Sequence, residues 1–160
     1  MTHDELVIRA ERWLLKSVGC SFCLTELTTS IGEIPDAIGW KFGKSILVEC
    51  KASRSDFLSD KKKHFRRIPK NGIGKYRFYM CPPGIIKPEE LPDKWGLLYC
   101  HDKKIQKVVA PKGNCWHKFP SFEFHFDREI TFLCSALRRV HLRGDLEKIY
   151  NMDTLNELTP

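Results

Sequence analysis

The residues of this chain best suited to chemistry lie in two neighbouring stretches, Ile34-Pro35-Asp36-Ala37-Ile38-Gly39-Trp40 and Ser45-Ile46-Leu47-Val48-Glu49-Cys50-Lys51. Side chains alternate along a strand, so Glu49 and Lys51 share one face while Val48 and Cys50 take the other. Charged residues directly after the apolar run Ile46-Leu47-Val48 mark the mouth of a site, because an unpaired charge there carries a desolvation cost. Between the stretches, Lys41-Phe42-Gly43-Lys44 reads as a hairpin turn. If that turn is centred on Phe42-Gly43, Asp36 falls directly opposite Glu49, with Cβ atoms about 4.5–5.5 Å apart. A slip of one residue would send the two carboxylates to opposite faces, so the placement depends on an even-length loop. Asp36, Glu49 and the main-chain carbonyl of Cys50 are hard donors suited to Mg²⁺, with Mn²⁺ as a substitute. Such an ion neutralises a phosphodiester oxygen and lowers the pKa of a bound water. Lys51 beside it can orient that water and stabilise developing charge. The chemistry indicated is metal-assisted phosphodiester hydrolysis.

The charge distribution agrees. The chain has 160 residues, 27 of them basic and 20 acidic, for a net +7. Residues 51–77 carry ten Lys or Arg against Asp56 and Asp60, which leaves −1 for the other 133 residues. A concentrated patch of this kind is the footprint of a phosphate-backbone binder. Arg54, Lys61, Lys62, Lys63, Arg66, Arg67 and Lys70 are its candidate contacts, and DNA is the expected partner, with RNA open. A solvated lysine-rich face is the bland alternative.

Around these residues the pattern reads as α/β. Thr2-His3-Asp4-Glu5 has the form of a capping box, so a helix should begin after Thr2 and run to Gly19. Strands are expected over 21–27, 34–40, 45–51, 76–81, 95–100 and 105–110, and a short helix capped by Ser53 or Ser55 over 53–63. The alternating aromatic stretch 119–126 reads as an edge strand or a packed loop. A helix over 129–142 should bury Phe132, Leu133, Ala136, Leu137 and Val140, and a last one lies near 145–150. One domain is expected, with a core over about 3–110 and a C-terminal strand and helices over about 119–158.

In these residues the chain resembles the PD-(D/E)XK nuclease superfamily. Pro35-Asp36 matches its "PD" element and Glu49-Cys50-Lys51 its "ExK" element. Ser53-Arg54-Ser55-Asp56-Phe57-Leu58 and the later strands look like the small MmcB-like DNA-repair branch. The resemblance spans roughly residues 3–100 in order of elements. It implies a restriction-endonuclease-like three-layer sandwich with a central mixed sheet flanked by helices. It also implies Mg²⁺ held by Asp36 and Glu49, with Lys51 assisting the water. Some members add a carboxylate from the first helix; Glu5 could be that acid or only the helix cap, and Glu11 fits less well. Glu26 and Glu33 are further candidate acids near the sheet edge.

Other patterns compete. Pro92-Asp93 with Asp102-Lys103-Lys104 repeats the motif, but no apolar strand leads into its second half. Cys20-Ser21-Phe22-Cys23 with Cys115 and His117 could supply zinc ligands, yet the spacing lacks paired knuckles, and buried thiols are the better reading. Seven cysteines at irregular spacing and no basic-then-apolar leader lead to the expectation of reduced thiols in a cytoplasm. No run approaches the roughly 20 apolar residues of a membrane helix. Two other readings stay open: a junction-resolvase-like endonuclease, which would need a homodimer, and a non-catalytic nucleic-acid-binding module. An adaptor docking an acidic protein is a third class.

Overall fold

In the computed structural model, residues 1–150 are described. Six strands form one mixed sheet in the order β1-β2-β3-β4-β5-β6, so every strand lies beside its predecessor. They are β1 (Phe22–Thr25), β2 (Ala37–Lys41), β3 (Lys44–Cys50), β4 (Tyr76–Cys81), β5 (Gly96–Cys100) and β6 (Ile105–Val109). Pairings β1–β2, β2–β3 and β5–β6 are antiparallel; β3–β4 and β4–β5 are parallel. The two parallel steps need crossovers. The first carries the helices α2 (Arg54–Asp60) and α3 (His64–Arg67). The fold is α/β, as expected.

Helices cover both faces of the sheet. Helix α1 (His3–Arg12) places Leu6, Val7 and Ala10 against Ala37, Ile46, Val48, Phe78 and Met80. Its capping box is formed: Thr2 Oγ1 accepts from the Glu5 N–H, and Glu5 accepts from the Thr2 N–H at 2.7 Å. The helix continues as a π-helical turn, Trp13–Val18, and Gly19 ends it at φ +76°. On the other face, Ile38, Leu47, Tyr79 and Leu97 pack with Phe57 of α2 and Phe132 of α4 (Phe126–Leu142). Alternation along β3 thus sends Val48 and Cys50 towards α1, and Leu47, Glu49 and Lys51 towards α2.

Several boundaries differ from the sequence reading. Strand β2 begins at Ala37 rather than Ile34, because Pro35 has no N–H for a ladder. Strand β1 stops at Thr25, and the next residue, Glu26, sits at φ +48°. The stretch 119–126 is the packed loop and not the strand. Its backbone makes single bonds, from Phe122 N–H to Lys75 and from His125 N–H to Gly72, while Phe122 itself is buried. Leu137, expected in the core, is 48% exposed. The element near 145–150 is a 3₁₀ turn, Leu146–Ile149, and the rest of the expected C-terminal helix, 151–158, lies outside the described residues.

One buried acid ties α4 to the sheet and to the loop before β4. Glu129 accepts from Trp40 Nε1 at 2.9 Å, from Ser45 Oγ at 3.0 Å and from the Gly74 N–H at 3.1 Å. Elsewhere the packing leaves no room for a methyl group. A Cβ on Gly96 would lie 2.2 Å from the Phe78 ring and 2.8 Å from the Val109 carbonyl. Gly96→Ala should therefore lower stability by about 1–3 kcal/mol through overpacking, read as a shifted urea midpoint at unchanged slope.

Candidate functional site

The β2–β3 turn has Phe42 at φ +48° and Gly43 at φ +68°, the paired left-handed geometry of a two-residue hairpin. It fixes Ala37 opposite Val48, so the next pair outward is Asp36 and Glu49, the register expected from an even loop. Asp36 itself lies one residue beyond the ladder. Its Oδ2 accepts the Cys50 N–H at 2.6 Å, which ties the end of one strand to the other. Strand β3 also pairs with β4 through Cys50 and Met80, and the Lys51 N–H donates to the Met80 carbonyl at 2.9 Å. The lysine is thus held by main chain on the sheet and by ion pairs at its tip.

Lys51 Nζ lies 3.1 Å from Glu49, 3.3 Å from Asp60 and 4.0 Å from Asp36. Asp60 reaches this point because Ser53 caps α2, accepting from the Asp56 N–H, and Phe57 anchors that helix in the core. Three residues past Phe57, Asp60 shares its buried face. From α3, Arg66 closes the cluster: it lies 2.7 Å from Asp60, 3.0 Å from Glu49 and 3.5 Å from Glu33, with its guanidinium 4.8 Å from the Trp95 ring centre. Tyr79 donates its hydroxyl to Asp60 at 2.7 Å, and Lys63 approaches the same carboxylate at 3.0 Å. Glu49, Lys51 and Asp60 are almost wholly buried.

Burial and charge pull these groups apart. Asp36 is raised to about 6 by desolvation and by the neighbouring Glu49, with Lys51 opposing. Burial also opposes ionisation of Asp60, but Arg66 and Lys51 outweigh it and hold that carboxyl well below its usual range. Lys51 is desolvated too, yet Glu49, Asp60 and Asp36 keep it above the ordinary lysine value. Asp36 therefore exchanges its proton closer to neutrality than a free aspartate does, while Asp60 is a fixed anion.

The structure brings together Asp36, Glu49 and Lys51. It does not bring Glu5, whose exposed carboxylate is engaged in the α1 cap. The expected cation set divides. Arg54 is spent on a bidentate pair with Glu90 and on the Ile85 carbonyl, and so is not a free phosphate contact. Arg66 belongs to the buried cluster, its side chain 3% exposed. Lys63 leans onto Asp60, half-exposed. Lys61, stacked 4.6 Å over Phe57, and Lys62, Arg67 and Lys70 are exposed. Asp102-Lys103-Lys104 forms the turn after β5, closed by the His101 N–H on the Lys104 carbonyl, which disposes of the competing motif. Burial pushes the Cys20 thiol up to about 11 and Cys23 to about 12, as suits small core residues and not ligands.

Asp60, Tyr79 and the inward role of Arg66 escaped the sequence reading. The signal for Asp60 was present: an acid three residues from Phe57 falls on the apolar stripe of a short helix. Glu33, weighed as a marginal acid, is buried, accepts the Ile73 N–H at 2.8 Å and pairs with Arg66.

Carboxylate oxygens are hard donors of the kind a divalent cation takes. Asp36 and Glu49 share one face; the ion pairs at Glu49 all fall on Oε2, and the Cys50 bond of Asp36 falls on Oδ2. Among the described residues, one group has ligand atoms close enough to share an ion as they stand: His3, Glu26 and Asp36. His3 Nε2 lies 3.2 Å from Glu26 and 3.7 Å from Asp36. Asp36 thus stands between the Lys51 cluster and this more open set.

No protein-family model matches the chain, and comparison with curated proteins finds no match. A solved structure of a protein of unknown function from Silicibacter pomeroyi is similar over 92% of this chain and 94% of its own, with 22% identity and a TM-score of 0.61. That likeness concerns the fold. Among the described residues no helix is long and apolar enough to cross a membrane.

Two asparagine substitutions should separate the roles of the acids. Asp60→Asn should lower stability near neutral pH by about 3–5 kcal/mol, since it leaves Arg66 and Lys51 short of a buried counter-charge. Because its folded pKa is depressed, that deficit should shrink as pH falls below about 4, where the unfolded carboxyl protonates first. Asp36 has the opposite sign: the wild type loses on the order of 3 kcal/mol as pH rises from about 4 to about 6, and Asp36→Asn should lack that fall. Urea titrations across this pH range check both.

Proposed function

We propose that this chain is a metal-dependent nuclease that hydrolyses phosphodiester bonds of DNA, a restriction-endonuclease-like protein of the PD-(D/E)XK kind working in the cytoplasm. The observation that carries the reading is the β2–β3 register, which sets Asp36 and Glu49 on one face beside Lys51 at the carboxyl end of a central strand. Asp36 and Glu49 would hold Mg²⁺ or Mn²⁺, with the Cys50 carbonyl as a third candidate donor. When bound, such an ion supplies charge neutralisation at the scissile phosphate and a more acidic water.

The remaining work falls to the chain itself. Lys51, fixed by its three carboxylate neighbours, presents a cation where negative charge would grow on the phosphorane oxygens. Asp60 and Arg66 position that lysine and Glu49 rather than touch substrate. Lys61, Lys62, Arg67 and Lys70 are exposed on the same segment and would hold phosphates on either side of the cut. A second reading draws on the completeness of the ion pairing: Glu49 already faces two buried cations, as it would in a binding module whose cluster is purely structural.

Labelled single-stranded, duplex, flap and four-way-junction DNAs with Mg²⁺ or Mn²⁺, beside EDTA, distinguish the two. Cleavage should require the metal and fall at least about 10²-fold in Asp36→Asn and in Lys51→Arg, with circular dichroism showing both variants folded. Cutting that persists in folded Asp36→Asn would sink the nuclease reading. Tight binding to all four DNAs without cleavage would favour the binding module.

A further inference from the structure

The basic excess of residues 51–77 is not the molecule's one concentration of positive charge. Arg9, Arg12 and Lys16 come from α1 and its π-helical extension, and Lys103, Lys104 and Lys107 from the β5–β6 hairpin; between them lies a groove of about 490 Å³. Asp102 is its one acidic lining residue. The walls are tied together where Arg9 donates to the Asp102 carbonyl at 2.6 Å. Arg12, Lys16, Lys103, Lys104 and Lys107 are exposed, and among the described residues no ion pair neutralises any of them. The aromatic floor, Trp13, is 3% exposed.

We propose that this groove binds the phosphate backbone of duplex nucleic acid. Like charges lining two facing walls repel one another, an arrangement that a polyanion relieves. A single-strand groove would offer aromatic faces for bases to stack upon, and here the aromatic residue is sealed in the core. Contacts of charge alone suit a duplex read by its backbone and not its sequence. Helix α1 also gives the groove a direction. Its first residue, His3, lies 3.7 Å from Asp36, and Arg9 and Arg12 follow about 9 and 14 Å along the helix axis, with Lys16 beyond them on the π-helical turn. On the nuclease reading, on which only this direction rests, the groove would hold the duplex flanking the cut.

The experiment is fluorescence anisotropy of a labelled duplex against the full chain in EDTA, so that binding is read without cleavage. A triple variant, Arg12→Ala with Lys16→Ala and Lys107→Ala, is compared with Lys112→Ala, Lys118→Ala and Arg138→Ala, which removes the same charge from exposed positions outside the groove. The groove variant should bind at least about 10-fold more weakly, with its log–log salt slope reduced by about 3, while the control changes little. Equal losses in the two variants, no loss in either, or equal wild-type affinity for poly-glutamate would overturn the proposal. If the duplex binds through the groove but no substrate is ever cut, the nuclease reading fails and the groove stands.

Discussion

Everything at the candidate site depends on keeping a lysine charged inside a protein core. Lys51 is almost fully buried, and an ammonium so placed would lose its proton without compensation. Three carboxylates from three elements supply it: Glu49 on its own strand, Asp36 just before the neighbouring strand and Asp60 on the helix that follows. That excess of acid needs a second cation, and Arg66 provides it while stacking on Trp95. Each element that reaches the cluster is placed by this balance. The short helices α2 and α3 bury little apolar surface beyond Phe57, so their position rests heavily on Asp60 and Arg66.

Such a network is poor evidence for stability, since apolar replacements of similar volume often do as well or better. Its geometry is more informative than its energy. Asp60 is locked as an anion, whereas Asp36 exchanges a proton near neutrality and sits at the open edge of the cluster with His3 and Glu26 beyond it. Two acids about one lysine therefore differ in kind: one is fixed as an anion in the core, and the other lies at the edge of the cluster.

Much of this was legible in the sequence where local rules suffice. The hairpin register followed from an even turn with Gly43, and the pairing of Ala37 with Val48 agrees with it. The capping box, a serine cap at 53 or 55 and the strand 76–81 also followed from short-range pattern, and the structure places the cap at Ser53. What was not legible required distance. A count of charges cannot say which cations turn inward, so Arg66 and Arg54 were read as surface contacts although both are spent on carboxylates. The groove between α1 and the β5–β6 hairpin was invisible for the same reason: its halves lie some ninety residues apart, one in a segment whose own charges cancel and the other in a short turn with a net charge of only +2. Glu5 shows the converse, since the cap read from its local pattern is formed.

The unbroken strand order has a kinetic meaning as well. Because each strand docks beside the one made just before it, the sheet can grow outward from its amino-terminal end as the chain lengthens, with no strand waiting for a later one to be inserted between neighbours. An exception is Glu129, whose bonds to Trp40, Ser45 and Gly74 span 55 to 89 residues. Those bonds close loops that span more than a third of the chain, an entropic debt best settled once the sheet already exists. Helix α4 then acts as the final latch, governing how slowly the finished protein opens more than how fast it is assembled.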